Sequence, residues 1–142
     1  MKKDTKRFEI IEHTADVGIQ VYGSNLKDLF ESAAIGLFSL IIDRGKIQAS
    51  KSVVIDLKED NQEELLVAWL NELLFQLSTR LFIPKEFNID KITENSISAH
   101  LQGESFDQSR HEITSEIKAA TYHELAIKKI EGGYEARVIL DT

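Results

Sequence analysis

The chain has 142 residues, so we expect one domain with a core large enough to need no cross-links. Apolar residues make up 42% and charged residues 29%, as in ordinary globular proteins, and the absence of cysteine excludes disulfides, thiolate catalysis and Cys-based zinc sites. The net charge of −7 disfavours direct binding of RNA, because neutralising phosphates supplies most of that affinity, and no apolar run is long enough for a membrane span or a signal peptide.

The first predicted elements are two strands on either side of a short polar segment. The apolar residues before this segment and the alternating residues 19–22 are typical of strands. The segment contains His13, Thr14 and Asp16 and ends at Gly18, which permits a sharp turn or the close approach of a ligand. Two interpretations are open: Thr14 and Asp16 hydrogen-bond the backbone of the turn, or the segment binds a ligand.

Two helices are predicted from apolar residues at helical spacing. The first covers about residues 25–42, with Ser24 as its N-cap. The second is capped by Asn61 and carries an apolar stripe that is wider than a half-exposed helix needs. This stripe predicts either a central helix, with Trp69 in the core, or a helix that makes an intermolecular contact.

The remaining pattern predicts strands. They cover residues 52–57, 97–101, 125–128 and 134–140. A hairpin turn is expected at residues 131–133, and the polar residues 103–110 are expected to form a loop. His100 and His111 are predicted at or near exposed positions, without a functional role. The fold class is α+β: a single domain over residues 1–142, built as a two-layer sandwich of two main helices on a mostly antiparallel or mixed sheet.

The candidate chemistry lies at the end of the chain. Asp141 and the terminal carboxylate of Thr142 follow the last predicted strand. If that strand lies beside the strand after Asp16, three carboxylates converge, and their mutual repulsion favours a bound cation. An all-oxygen set suits Ca²⁺ or Mg²⁺ better than Zn²⁺. The structural alternative is a frayed C-terminus.

Two further pairs of residues are candidates. His13 with His123 could bind zinc or supply a general base, or each imidazole could simply hydrogen-bond locally. Lys118 with Tyr122 could bind an anion, or they could be a solvated lysine and a half-buried tyrosine. The sequence contains no glycine-rich phosphate loop, no GxSxG and no HExxH, so its residues specify no enzyme.

Three motifs together carry a resemblance to a known family. They are HTADVG at residues 13–18, KAATYH at residues 118–123 and YEARVILD at residues 134–141. In this combination, and with the two helices between them, the chain resembles the archease family over essentially its whole length. Two positions depart mildly from the family pattern, Glu12 before the first motif and Ala120 within the second, and neither departure affects the polar motif residues.

The resemblance implies a function that the residues alone do not specify. Archeases are non-catalytic protein cofactors of the RtcB-type RNA ligase of tRNA splicing. They promote its guanylylation and multiple turnover and can broaden its nucleotide use. The family binds a divalent cation, described as calcium, and the corresponding ligands here are Asp16, Asp141 and a main-chain or terminal oxygen of Thr142; Mg²⁺ or Mn²⁺ are alternatives. The residues expected to support the site or contact the partner are His13, Lys118, Tyr122 and His123.

The resemblance to archeases implies a cytoplasmic location. Two other functional classes remain as alternatives. One is a metal-dependent phosphoester hydrolase that uses Asp16 with His13 or His123. The other is a chaperone or adaptor that uses the apolar stripe of the second helix. The hydrolase would turn over substrate alone, the chaperone would bind unrelated clients, and the cofactor would act only with its ligase.

Overall fold

The computed structural model describes residues 7–12 and 16–142, so the predictions made for His13 and Thr14 lie outside the described residues. The helices are α1 (Leu26–Ile41) and α2 (Gln62–Ser78), with a short 3₁₀ turn at Arg44–Lys46. The strands are β1 (Phe8–Glu12), β2 (Val17–Gly23), β3 (Lys51–Lys58), β4 (Phe82–Ile92), β5 (Ser96–Ser105), β6 (Ala119–Ala120), β7 (Ala126–Ile130) and β8 (Gly133–Asp141). No helix in the described ranges has the length and apolar character needed to cross a bilayer.

The strands form two antiparallel sheets. In the first sheet the order is β1-β2-β8-β6, with β7 also paired to β8, and in the second it is β3-β5-β4. Both helices contact strands of both sheets, because α1 packs on β2 and β4 while α2 packs on β3, β4, β6 and β7. The predicted α+β class, with two main helices on antiparallel strands, is confirmed. The division of the strands into two sheets was not predicted.

The position of α2 explains its wide apolar stripe. Trp69, Leu70 and Leu73 are fully buried, and the Trp69 indole N–H donates to the carbonyl oxygen of Phe30 in α1 at 2.9 Å. A helix that contacts two sheets and another helix needs apolar residues on more than one side. The prediction of a central helix with Trp69 in the core is therefore confirmed, and Asn61 is its N-cap, as expected.

The N-cap of α1 is Asn25 rather than the predicted Ser24. The Asn25 side chain accepts a hydrogen bond from the main-chain N–H of Asp28 at 2.8 Å. Ser24 lies one residue earlier, and its hydroxyl donates to the Asp28 carboxylate, which lowers the pKa of that group. Both residues therefore help to begin the helix, but the amide oxygen of Asn25 satisfies the exposed helix N–H.

The prediction that His111 is exposed is wrong. Strand β5 continues to Ser105, beyond the predicted end of the strand, and brings the buried Glu104 carboxylate beneath the following loop. His111 folds back onto this carboxylate, and its side chain is fully buried. Spacing along the chain did not predict this contact, because it depends on how the loop closes.

Candidate metal and partner-binding edge

Antiparallel pairing of β2 with β8 brings the first and last motifs together. Val17 pairs with Leu140, so Asp16, which precedes Val17, and Asp141, which follows Leu140, lie at the same end of the first sheet. Gly18 allows this close pairing, because a Cβ atom at that position would lie 3.1 Å from the Ile139 side chain and 3.3 Å from the Val138 carbonyl oxygen. Asp16 therefore directly precedes β2, and Asp141 ends β8, the strand that pairs with β2.

The second motif lies on the other side of β8. Ala119 pairs with Asp141, and the main-chain N–H of Lys118 donates to the Asp141 carbonyl oxygen at 2.7 Å. Asp141 thus lies between the segment that begins β2 and the segment that forms β6. Asp141, Thr142 and the Lys118 side chain are exposed, and Asp16 is partly exposed. We call this group, Asp16, Lys118, Asp141 and Thr142, the acidic edge.

The other residues predicted for the site lie beyond β6. Tyr122 is 60% exposed, and the exposed His123 imidazole lies 3.6 Å from the Glu124 carboxylate. Glu124 has a φ of 55°, in the left-handed region that non-glycine residues seldom adopt. These residues form the turn between β6 and β7, next to the acidic edge along the chain. His13 lies outside the described residues, so its predicted pairing with His123 stays a prediction.

Comparison with known proteins identifies the family. A sequence profile described as the Archease protein family matches residues 8–142. The chain belongs to the archease family. It is 39% identical to the protein archease of Methanosarcina barkeri over 99% of both chains. It is 35% identical to the protein archease of Sulfolobus acidocaldarius over 95% of this chain and 98% of that one.

Solved structures agree with this assignment. The solution structure of protein 1598 of Methanobacterium thermoautotrophicum is 31% identical, with a TM-score of 0.78 over 95% of this chain and 98% of that chain. A Thermotoga maritima crystal structure, described as an archease and possible chaperone, is 22% identical with a TM-score of 0.67 over 100% of this chain and 98% of that one. The second likeness is evidence for the archease fold alone.

The donor chemistry of the acidic edge fits a hard cation. Two carboxylates and the main-chain oxygen of Thr142 are oxygen donors, which Ca²⁺, Mg²⁺ and Mn²⁺ prefer to nitrogen or sulfur. Within residues 7–12 and 16–142, no group of three or more His, Asp or Glu side chains has the arrangement of a metal site. The edge therefore offers two carboxylates and main-chain oxygen rather than a complete cage of side chains.

The sequence did not predict the residue that fixes the second motif to the helices. The Asn71 side chain of α2 accepts a hydrogen bond from the Ala120 N–H at 2.8 Å and donates to the Ala120 carbonyl at 3.2 Å. On the other side, the N–H and hydroxyl of Thr121 both donate to the Ile139 carbonyl. The available signal was an amide among the apolar residues of α2, since a polar side chain at the margin of a core needs hydrogen-bond partners.

Proposed function

We propose that this archease is a non-catalytic activator of an RtcB-type tRNA-splicing RNA ligase, which it helps to become guanylylated and to turn over repeatedly. The observation that carries the proposal is the acidic edge: segments of three motifs distant in sequence meet where β2 and β6 begin and β8 ends. If the polar residues of the first motif only stabilised their own turn, the segments of the other two motifs would not need to lie beside it. An effect on the choice of nucleotide by the ligase belongs to the same proposal.

In this proposal the acidic edge holds a divalent cation, Ca²⁺ in the first instance and Mg²⁺ or Mn²⁺ as alternatives. Asp16 and Asp141 contribute carboxylate oxygens, and Thr142 contributes a main-chain oxygen. When bound, the cation offsets the repulsion between neighbouring carboxylates. Lys118 lies at this end of the sheet, and Tyr122 and His123 follow it beyond β6. These residues would contact the ligase, as would His13.

The ligase, not this chain, would supply the catalytic groups and the RNA-binding surface. A net charge of −7 favours a basic protein surface over a phosphate backbone as the partner. A cytoplasmic location is part of the proposal, because a chain without cysteine is compatible with a reducing compartment. The isolated protein should therefore hydrolyse no phosphoester and join no RNA.

The test uses Asp16→Asn and Asp141→Asn, which remove charge while keeping size. We expect each variant to stimulate guanylylation of the cognate ligase at least about tenfold less than the unchanged protein, because even the loss of a residue that hydrogen-bonds to a metal ligand typically has an effect of that size. Guanylylation is measured with GTP, and turnover with RNA carrying a break. The matched control is Asp60→Asn, an exposed aspartate in the turn before α2.

Full stimulation by both variants, at matched folding stability, would remove the acidic edge from the mechanism. If the unchanged protein failed to stimulate the ligase but hydrolysed a phosphoester alone, the activator proposal would be replaced by the hydrolase alternative.

A further inference from the structure

A groove of about 650 Å³ lies beside the acidic edge. It runs between the C-terminal half of α2 and residues 113–118, and its volume falls in the range of pockets that bind ligands or bulky side chains. Its walls are mainly apolar, formed by Ile41, Leu74, Leu77, Leu81, Ile113 and Ile117. The groove includes the C-terminal end of the α2 apolar stripe, at Leu74 and Leu77.

The rim of the groove exposes apolar side chains at some conformational cost. Leu81 is 53% exposed and Ile113 is 38% exposed. Leu81 also has a φ of 55°, a left-handed conformation that suits glycine or asparagine better than leucine. Its conformation is held by a hydrogen bond of 2.6 Å from the Phe106 N–H to the Leu81 carbonyl. Strained residues of this kind are concentrated at functional sites.

The far wall of the groove is held rigidly in place. Phe106, which lines the groove, stacks on the buried His111 ring with 5.8 Å between ring centroids. The hydroxyl and N–H of Thr114 donate to carbonyl oxygens at the end of α1, while Ile113 forms a β-bridge with Ile42. A preformed wall reduces the entropy lost on binding, so the groove is suited to receive a partner without rearrangement.

The groove and the acidic edge form one continuous surface. Lys118 lines the end of the groove, and its main-chain N–H is bonded to Asp141 of the edge. Glu116 also lines the groove, so carboxylates lie both in its wall and just beyond its end. A partner that covers the edge is therefore well placed to cover the groove as well.

We propose that the groove receives a bulky apolar side chain that projects from a basic surface of the same ligase, an inference that rests on the proposed function. Apolar side chains seated in a preformed pocket and surrounded by polar groups are typical binding hot spots. RNA has no such side chain, and a second copy of this chain would bring another charge of −7 to a surface that already carries carboxylates.

The groove is tested with Leu81→Asn combined with Ile113→Thr. Asparagine tolerates the left-handed backbone, and threonine keeps the β-branched shape, so the fold should be retained while both exposed apolar groups are lost. Leu81→Asn alone is the second variant if the pair lowers stability. The matched control is Val54→Thr, because Val54 is 71% exposed on β3 of the second sheet, away from the groove.

We measure the activator concentration that gives half-maximal ligase guanylylation, together with the maximal stimulation. The double variant should need about tenfold more protein to reach the same maximum, as expected for loss of a hot spot. Val54→Thr should leave both values unchanged. Asp141→Asn should instead lower the maximum, because it alters the edge and leaves the groove intact.

The possible outcomes separate the two proposals. If the unchanged protein stimulates the ligase and the double variant has the same half-maximal concentration, the groove inference is wrong and the activator proposal stands. If the unchanged protein does not stimulate the ligase, the activator proposal fails and the inference fails with it.

Dimerisation of the unchanged protein, lost in the double variant, would identify a second copy as the occupant. Groove-dependent suppression of aggregation of an unrelated client would identify a general chaperone surface. Either result would overturn the ligase as occupant.

Discussion

Two regions of the described structure place carboxylates in different environments, one buried and one exposed. In the buried corner, formed by Glu104, Arg110 and His111, one carboxylate lies beneath a loop and accepts hydrogen bonds from the protein itself. In the acidic edge, Asp141 is exposed beside Asp16, and its main-chain carbonyl oxygen accepts a hydrogen bond from the Lys118 N–H. The Glu104 carboxylate therefore lies among protein donors, whereas Asp141 is exposed to solvent.

The buried corner is fully engaged by its neighbours. Glu104 accepts from the Gln48 N–H at 2.8 Å, from both terminal nitrogens of Arg110 and from His111 Nε2 at 2.9 Å. The pKa of Glu104 is lowered to about 2, and the main cause is the hydrogen bond from the Arg110 guanidinium. His111 Nδ1 accepts from the Asp107 N–H at 2.9 Å, so the proton of the neutral ring lies on Nε2.

The difference indicates what each group does. A buried carboxylate whose oxygens already accept from three residues has little capacity left for a ligand, so the corner stabilises the loop that carries Phe106. Carboxylates side by side at an exposed sheet edge repel each other and gain by binding a cation. The corner is therefore expected to affect stability, and the edge is expected to affect function.

The largest effect should follow from His111→Leu. The change leaves the buried Glu104 Oε2 without one donor and the partly buried Asp107 N–H without its acceptor, at a cost of about 3 kcal/mol in the free energy of unfolding. Urea unfolding measures it. Asp141→Asn, an exposed change, should stay within about 0.5 kcal/mol. Equal losses in the two variants would contradict the contrast between corner and edge.

A pH dependence should come next in size. The pKa of Glu104 lies near 2 in the folded state against an ordinary value of 4.5, so its contribution to stability is complete above that value and is lost as the pH falls toward 2. Glu104→Gln cannot titrate. The difference in unfolding free energy between the two proteins should therefore shrink as the pH is lowered below about 4.5. A difference that stays constant across this range would show that Glu104 titrates normally.

The sequence predicted the features that depend on local signals. Asn61 before an apolar run was identified as a helix cap, and glycines 132 and 133 marked the turn between β7 and β8. The meeting of Asp16 with Asp141 was stated only as a condition, that their strands be neighbours. Nothing local in the sequence specifies which strands pair, and the observed pairing of β2 with β8 supplies that condition.

The features that the sequence missed depend on contacts between distant segments. His111 was placed on the surface because the residues around it are polar, yet the loop folds it onto Glu104. No role was predicted for Asn71 within the apolar stripe of α2, although its amide holds β6 against that helix. The division into two sheets also depends on distant contacts. The alternation of apolar and polar residues indicates which face of a strand is buried, but it does not indicate which strands pair with it.

The smallest expected effect tests the edge without any ligase. If Ca²⁺ binds between Asp16 and Asp141, adding it at a free concentration of ten times its Kd should stabilise the folded protein by about 1.4 kcal/mol. For a chain of this size that raises the Tm by about 5 °C, measured by thermal unfolding with Ca²⁺ and with a chelator. Glu104→Gln should respond like the unchanged protein, because the corner has no part in the binding. Asp141→Asn should show no rise in Tm. A full rise in that variant would mean that the cation binds away from the acidic edge, and the edge would then have no assigned function.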